Sequence, residues 1–160
     1  MPLQQMPVPV ALFRRLSLAD WLTVVAVAAF YVLLADMFSG LFVVHGRASI
    51  TWFAEGFGLA ALLLFGRHCA WGILFGEMIF HWLIGTETML MAAVYAAGNA
   101  LSALLAAWIV ERDTQFDRRL LQLRSYTRLL IAAGGVSSLL SALIGVPAML
   151  FNGEVSGSQW

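Results

Sequence analysis

Five polar residues lie within or at the edges of otherwise apolar segments, and their side chains are the ones that could do chemistry. They are Asp36, Glu55, Glu77, His81 and Asn99. A polar or ionisable group inside a membrane segment is costly, so each should face other helices or water. Glu77 and His81 are four residues apart, which places them on one face of a helix where they can pair.

The Glu77–His81 pair has two interpretations. In the first it belongs to a ligand or proton site, for which the candidate residues are Trp52, Glu55, Glu77, His81 and Asn99. In the second it is a satisfied polar pair that fixes the register of neighbouring helices, while Glu55 and Asp36 reach water near the outer surface. One His and one Glu do not complete a coordination shell, so no metal and no cofactor are expected.

Five apolar segments must position these residues. They cover approximately residues 20–41, 52–65, 71–84, 89–110 and 129–151. Each is expected to be a helix, because backbone polar groups in lipid must be satisfied within the segment. The second and third rise only about 21 Å, against a hydrocarbon core of about 30 Å. They either cross a locally thinned bilayer or form a re-entrant hairpin; Arg67 at the tip favours crossing, since a charge at depth costs a few kcal/mol.

The composition predicts an all-α integral membrane protein, a bundle of about five transmembrane helices with two short central spans. The chain of 160 residues is 61% hydrophobic and only 11% charged, whereas soluble domains carry about 25% charged residues. Its basic residues are scattered between apolar segments, which argues against nucleic-acid binding. We find no nucleophile, phosphate-loop or zinc pattern, so an enzyme is not expected. Cys69 is the single cysteine, which excludes an internal disulfide.

The arginines give this threading a direction. The sequence has nine arginines and no lysine, and in a five-span threading only Arg47 falls on the second side of the membrane. Cytoplasmic loops are enriched in basic residues, so the N-terminus is expected in the cytoplasm and the C-terminus outside a bacterial inner membrane. The predicted division is a flexible cytoplasmic tail over 1–18, a transmembrane domain over 19–152 and a short external tail over 153–160.

Small residues at helical spacing predict where the helices approach closely, because lipid provides no hydrophobic drive between them. Gly72 and Gly76 form such a pair in the third segment. The fourth segment carries a stripe of alanines at 92, 96, 100, 103 and 107, and the fifth carries Gly134, Ser138, Ser141 and Gly145. Packing alone explains these residues. Pro147 is expected to kink the fifth segment, because proline removes a backbone donor.

Residues 111–128 form the one sizeable polar stretch. Phe116, Leu120 and Leu123 would share one side of a helix lying on the inner leaflet, with arginines at the lipid head groups. The candidates for lipid or partner contact are Arg118, Arg119, Arg124 and Arg128. Charge that merely sets the topology is the alternative, and it accounts for most of these arginines without further function.

Six short stretches follow one another in a particular order and spacing: Trp52-Phe53-Ala54-Glu55-Gly56, Leu62 to Arg67, Trp71-Gly72-Ile73 with Gly76, Ala96 to Leu101, Phe116-Asp117 and Arg128-Leu129-Leu130. Together they resemble the first-type membrane-associated sensor domain, the MASE family of bacterial signalling proteins. The resemblance covers about residues 20–160. It implies an integral sensory module that precedes a histidine kinase or a cyclic-dinucleotide enzyme. It also implies about eight spans and an output domain, so a chain of five spans is expected to be a truncated product, a fragment or a stand-alone remnant that works by association.

The expected function is therefore a non-enzymatic sensory or signal-transduction module whose ligand is unknown. It would act through a cytoplasmic or membrane partner, a kinase or a cyclic-dinucleotide enzyme, or as a homo-oligomer. The alternative is a small membrane transport component that binds a solute, because short helices with polar groups at the midplane suit that class.

Overall fold

The computed structural model describes residues 16–39, 43–44, 48–49, 53–84, 88–113, 115–117 and 120–151. Its helices are α1 (Leu18–Ser39), α2 (Phe53–Phe65), α3 (Cys69–Ile84), α4 (Met89–Glu111), α5 (Leu123–Leu130) and α6 (Ser138–Phe151). A π-helical segment (Ile131–Ser137) joins α5 to α6 without a break, so residues 123–151 form one fifth span. Between α1 and α2, the two-residue strands β1 (Val43–Val44) and β2 (Ala48–Ser49) pair antiparallel.

These helices confirm the predicted bundle. Three stretches are long and apolar enough to cross a membrane, Leu18–Ser39, Met89–Glu111 and Leu123–Ala148. The two shorter helices, α2 and α3, are also apolar, as the second and third segments predicted. The protein is thus an all-α membrane bundle apart from the short strand pair.

Local signals place the helix ends. Ser17 and Asp20 cap α1 reciprocally: the Asp20 amide donates to the Ser17 hydroxyl, and the Ser17 amide donates to the Asp20 carboxylate. Thr88 caps α4 through its hydroxyl, which accepts from the amide of Met91. Gly66 ends the α2 region with a φ of +112°, a left-handed conformation that glycine adopts without steric cost. This turn lets α3 begin only four residues after α2 ends.

Glycines bring α1 and α3 into close contact, as the third segment predicted. A Cβ added to Gly72 would lie 2.8 Å from the carbonyl oxygen of Val24 and 2.8 Å from Val27. One added to Gly76 would lie 3.0 Å from the carbonyl oxygen of Ala28. Neither position has room for a side chain, so the two backbones approach as in other small-residue interfaces of membrane helices.

The alanine stripe of α4 is confirmed as a packing surface. All five predicted alanines of this stripe are buried, at 92, 96, 100, 103 and 107. Gly98 on the same helix faces α6, since a Cβ there would lie 3.1 Å from Ile144. Because α4 packs against α2, α3 and the fifth span, it is the helix through which the bundle is joined.

The small-residue face predicted for the fifth span is wrong. Gly134 and Ser138 are exposed, and an added Cβ at Gly134 or Gly145 would meet nothing within 4 Å. The residues that are buried here are instead Ala132 and Ser137. They are five apart because the π-helical segment widens the turn from the α-helical spacing of about 3.6 residues. Ser141 is the one predicted residue of this face that contacts the other helices through hydrogen bonds. Pro147 lies inside α6.

The amphipathic surface helix predicted over residues 111–128 is also wrong. Helix α4 continues through Glu111 and α5 begins at Leu123, and the described residues between them are not helical. Leu120 has a φ of +56°, which interrupts any helix at that point. The connection folds onto the bundle, since Phe116 packs against the core and the Asp117 amide donates to the Ser125 hydroxyl over 2.9 Å.

Candidate functional site

Four of the five predicted site residues meet inside the bundle, and three serines join them. This polar cluster comprises Glu55 of α2, Glu77 and His81 of α3, Asn99 and Ser102 of α4, Ser137 of the π-helical segment and Ser141 of α6. The fifth predicted residue, Trp52, lies outside the described residues. Asp36 is exposed on α1 and does not contact the cluster through any described hydrogen bond.

Glu77 is the most buried carboxylate of the polar cluster, with 2% of its surface exposed. Its Oε1 atom lies 2.9 Å from Asn99 Nδ2, which donates to it, and 3.3 Å from His81 Nε2. Its Oε2 atom is buried and has no hydrogen-bond partner among the described residues. A buried acceptor without a partner is costly, so Glu77 retains unused capacity to bind a proton, a cation or a donor group.

Glu55 turns inwards and does not simply reach water at the surface. Its Oε1 atom accepts hydrogen bonds from the hydroxyls of Ser137 and Ser141, at 2.7 and 3.0 Å. Glu55 is more than 80 positions away from both serines in the sequence. The contact therefore joins the N-terminal end of α2 to the middle of the fifth span.

Ser141 connects the two carboxylate ends of the polar cluster. Its Oγ atom lies 3.0 Å from Glu55 Oε1, 3.0 Å from Ser102 Oγ and 3.4 Å from Asn99 Oδ1. A hydroxyl has a single proton to donate, so it can serve one of these acceptors at a time. The Ser102 hydroxyl itself donates to the carbonyl of Gly98 over 2.8 Å, which leaves its lone pairs to accept from Ser141.

The polar cluster lies near the middle of the bundle. Asn99 is ten residues from the start of α4 and twelve from its end, which corresponds to a depth of roughly 15–18 Å. Glu77 is similarly central in α3. The residues around this position are mostly apolar, and the lipid head groups are distant. The polar side chains must therefore form hydrogen bonds with one another or with a bound species.

The charges of the polar cluster do not balance. It holds two carboxylates, whereas His81 is its only basic member. The described arginines make their contacts at the helix ends, for example Arg67 with Glu111 at 3.0 Å. The His81 ring also lies against the Tyr95 ring, with 5.4 Å between centroids. Acidic side chains thus outnumber basic ones among the described members of the polar cluster.

Asp113 lies at the end of the bundle that holds the described arginines. It forms ion pairs with Arg124 and Arg128, two of the four arginines predicted to contact lipid or a partner. Arg128 Nη1 lies 2.9 Å from Asp113 Oδ2, and Arg124 Nη2 lies 3.1 Å from the same atom. The pKa of Asp113 lies below its ordinary value, first because it accepts from the Gln115 amide and then because both guanidinium groups favour the charged form. The other two candidates, Arg118 and Arg119, lie outside the described residues.

The sequence did not single out Ser102 and Ser137 as functional residues. Isolated serines in an apolar helix carry little information, since a hydroxyl can bond to its own helix backbone. The signal that could have found Ser137 is its place one turn before Ser141, on a helix otherwise rich in leucine. In the part of the chain that the structure describes, no three His, Cys, Asp or Glu residues are grouped as metal ligands would be.

Comparison with known proteins adds one relationship. The model of the MASE1 family matches residues 22–159, nearly the whole chain. The match includes every residue of the polar cluster and the four arginines predicted to contact lipid or a partner. Neither a curated protein nor a solved structure matches the sequence.

Proposed function

Because the chain belongs to the MASE1 family of membrane-associated sensor domains, we propose that it detects its input at the polar cluster and acts without catalysis of its own. In this proposal the protein lies in a bacterial inner membrane with its N-terminus in the cytoplasm. We further propose that the segments 1–18 and 153–160 lie on opposite sides of the membrane. The input reaches a kinase, a cyclic-dinucleotide enzyme or another membrane partner through movement of helices.

The observation that carries this proposal is the row of polar contacts from Glu77 through Asn99 and Ser141 to Glu55, in which the single Ser141 proton can go to either Asn99 or Glu55. It joins α3, α4, α6 and α2 in that order. A species bound by any member changes the bonds available to the others, since Ser141 has one proton and several acceptors. The polar cluster can therefore favour one helix arrangement when it is occupied and another when it is empty, which is what a sensor requires.

The charge imbalance points to the class of input. Two carboxylates with one histidine favour a proton or a small cation over an anion or a neutral sugar. Carboxylate, hydroxyl and amide oxygens are also the groups that hard cations prefer. The proposed input is therefore positively charged and small enough to enter a bundle interior.

Movement of the fifth span is the proposed way in which a change at the polar cluster reaches the arginine-bearing end of the bundle. This span carries Ser137 and Ser141 in its middle and Arg124 and Arg128 near its start. The π-helical segment separates the two, and π segments in α-helices often mark functional sites. A change at Glu55 or Asn99 would thus be felt at the arginine-bearing end, where a cytoplasmic partner would be reached.

Thermal unfolding of the purified full chain tests the proposal. We expect the midpoint to rise in NaCl relative to choline chloride at equal ionic strength, or to change with pH. Either shift should disappear in Glu77→Gln. Asp36→Asn is the matched control, since it removes an exposed carboxylate outside the polar cluster, and it should behave as the wild type.

A second measurement asks whether the bundle responds. Spin labels on cysteines introduced at Leu64 and Tyr126, both exposed, would report the distance between the end of α2 and α5 after Cys69 is replaced by Ala. The distance distribution should change with the same cation or pH that shifts unfolding. Unchanged unfolding and unchanged distances across all conditions would remove the polar cluster as the sensing element.

A further inference from the structure

An open groove of about 650 Å³ lies between the end of α4 and the start of the fifth span, away from the polar cluster. Its walls combine two kinds of side chain. Arg124, Arg128 and Thr127 are polar, whereas Ile109, Leu123 and Ile131 are apolar. This combination matches the two parts of a phospholipid, a charged head group and the beginning of its acyl chains.

Hydrogen bonds hold both arginines of the groove in place. Arginines that only set the membrane topology need no such bonds and can extend into water. Arg128 donates from Nε and Nη2 to the carbonyl oxygen of Ile109, at 3.2 and 2.9 Å. Arg124 donates from Nη1 to Gln115 Oε1 over 2.6 Å. Because these bonds already fix both guanidinium groups, an incoming anion does not have to order them.

Among the described residues that line or contact the groove, two guanidinium groups share one carboxylate. It belongs to Asp113, which contacts both Arg124 and Arg128 and whose side chain is only 7% exposed. Each guanidinium also retains N–H donors beyond the bonds just described, and such donors pair well with phosphate oxygens.

Aromatic side chains place the groove at the level of the lipid head groups. Trp21, Trp71, Trp108 and Tyr126 are all partly exposed at the arginine-bearing end of the bundle. Trp and Tyr concentrate at the membrane–water boundary. Arg112 lies over the Trp108 ring at 4.0 Å from its centroid, which marks the same boundary on α4. Ile109 and Ile131 would then lie just inside the hydrocarbon.

We propose that this groove is a binding site for one acidic phospholipid, whose phosphate group contacts Arg124 and Arg128 while its acyl chains pack on Ile109, Leu123 and Ile131. The bound lipid adds a further contact between α4 and the start of the fifth span, beside the bonds from Arg128 to Ile109. The site does not depend on the polar cluster or on the identity of the sensed input, so the two proposals stand or fall separately.

Native mass spectrometry of the full chain tests this inference, with phosphatidylglycerol and phosphatidylcholine of identical acyl chains as probes. We expect the first phosphatidylglycerol to bind at least fivefold more tightly than phosphatidylcholine. Arg124→Gln should reduce this preference below twofold. Arg112→Gln removes the same charge from the same end of the bundle but not from the groove, and it should keep the preference.

A second variant separates space from charge. Thr127→Trp fills the groove at an exposed position and leaves both arginines in place; it should lower phosphatidylglycerol binding at least fivefold while the unfolding midpoint confirms a folded chain. Equal binding of the two lipids, an equal effect of Arg112→Gln and Arg124→Gln, or full binding by Thr127→Trp would each overturn the proposal. The second result would indicate diffuse attraction, and the third would place the lipid elsewhere.

Discussion

Asn99 and Glu77 are 22 residues apart in the sequence, yet Asn99 Nδ2 lies 2.9 Å from Glu77 Oε1 in the middle of the bundle. The contact fixes the register of α3 against α4, and it supplies the amide donor to a carboxylate that is almost fully buried. Asn99 and Glu77 are therefore relevant to both interpretations of the buried polar residues, the ligand or proton site and the polar pair that fixes helix register. The pair holds α3 and α4 together, and it leaves Glu77 Oε2 without a hydrogen-bond partner among the described residues.

Asn99→Leu should destabilise the bundle. The change removes the donor to Glu77 and the acceptor near Ser141, and interhelical hydrogen bonds in membranes contribute about 0.6 kcal/mol each on average, with an upper value of about 1.7. We expect a loss of about 1 kcal/mol in the free energy of unfolding, measured by reversible unfolding in mixed micelles. Ser138→Leu, at an exposed position on the fifth span, should lose much less. Equal losses would mean that the Asn99 contact has no special weight.

Gly72→Ala should be strongly destabilising, since the added methyl group would lie 2.8 Å from the carbonyl oxygen of Val24. Overpacking of this kind costs about 1–3 kcal/mol. Gly56→Ala in α2 is the matched control, because a Cβ there meets nothing within 4 Å. Alanine is the better helix former by up to about 1 kcal/mol, so this control should unfold at the same or a higher temperature. The opposite order of the two variants would contradict the close approach of α1 and α3.

Asp113 predicts a loss of stability in acid. Its folded pKa lies below the ordinary value of 3.8, so its contribution is fully present above that value and disappears as the pH falls through it to the lower folded pKa. Between about pH 5 and pH 3, the midpoint of thermal unfolding should therefore fall as the pH is lowered. The fall should be smaller in Asp113→Asn than in the wild type. Asp36→Asn, on an exposed carboxylate of α1, should retain the wild-type slope. A parallel decline in all three proteins would exclude this origin.

Deleting Gly135 should be tolerated. The π-helical segment places buried Ala132 and Ser137 five residues apart, and removal of one exposed residue between them restores the spacing of an α-helix. We expect an unfolding midpoint equal to or above that of the wild type. Deleting exposed Leu139 instead rotates Ser141 by about 100° away from Glu55 and should lower the midpoint clearly. Similar midpoints for the two deletions would show that the register after the π-helical segment is unimportant.

The predicted orientation can be tested with single cysteines in a chain whose Cys69 is replaced by Ala. Leu121 and Leu83 are exposed near opposite ends of the bundle. An impermeant maleimide should label Leu121→Cys only in inside-out vesicles and Leu83→Cys only in right-side-out ones, because arginine-rich ends face the cytoplasm. The reverse pattern would invert the threading.

The helices were predictable because apolar length and backbone chemistry in lipid determine them almost alone. The alanine stripe of α4 was predictable for the same reason, since a regular helix keeps residues four apart on one face. The buried face of the fifth span could not be predicted in this way, because its π-helical segment changes the spacing of the residues that share a face. The residue types in that segment do not indicate the change.

The polar cluster was predictable in part. Glu77, His81 and Asn99 could be expected to meet because each is too costly to leave in lipid. The inward turn of Glu55 depends on Ser137 and Ser141, which lie more than 80 residues away. The connection after α4 was misjudged for a related reason: the left-handed Leu120 and the contact of Asp117 with Ser125 override its helical pattern.

The fifth span is the most loosely seated of the three long helices. Only 11% of its apolar window is buried inside the bundle, against 44% for α4 and 28% for α1. Besides its packing on α4, it is held by hydroxyl–carboxylate bonds in its middle and by the Arg128 bonds to Ile109 near its start. If the bilayer changes thickness, this helix should therefore be the first of the three to shift, with its hydroxyl contacts at Ser137 and Ser141 as the points that resist.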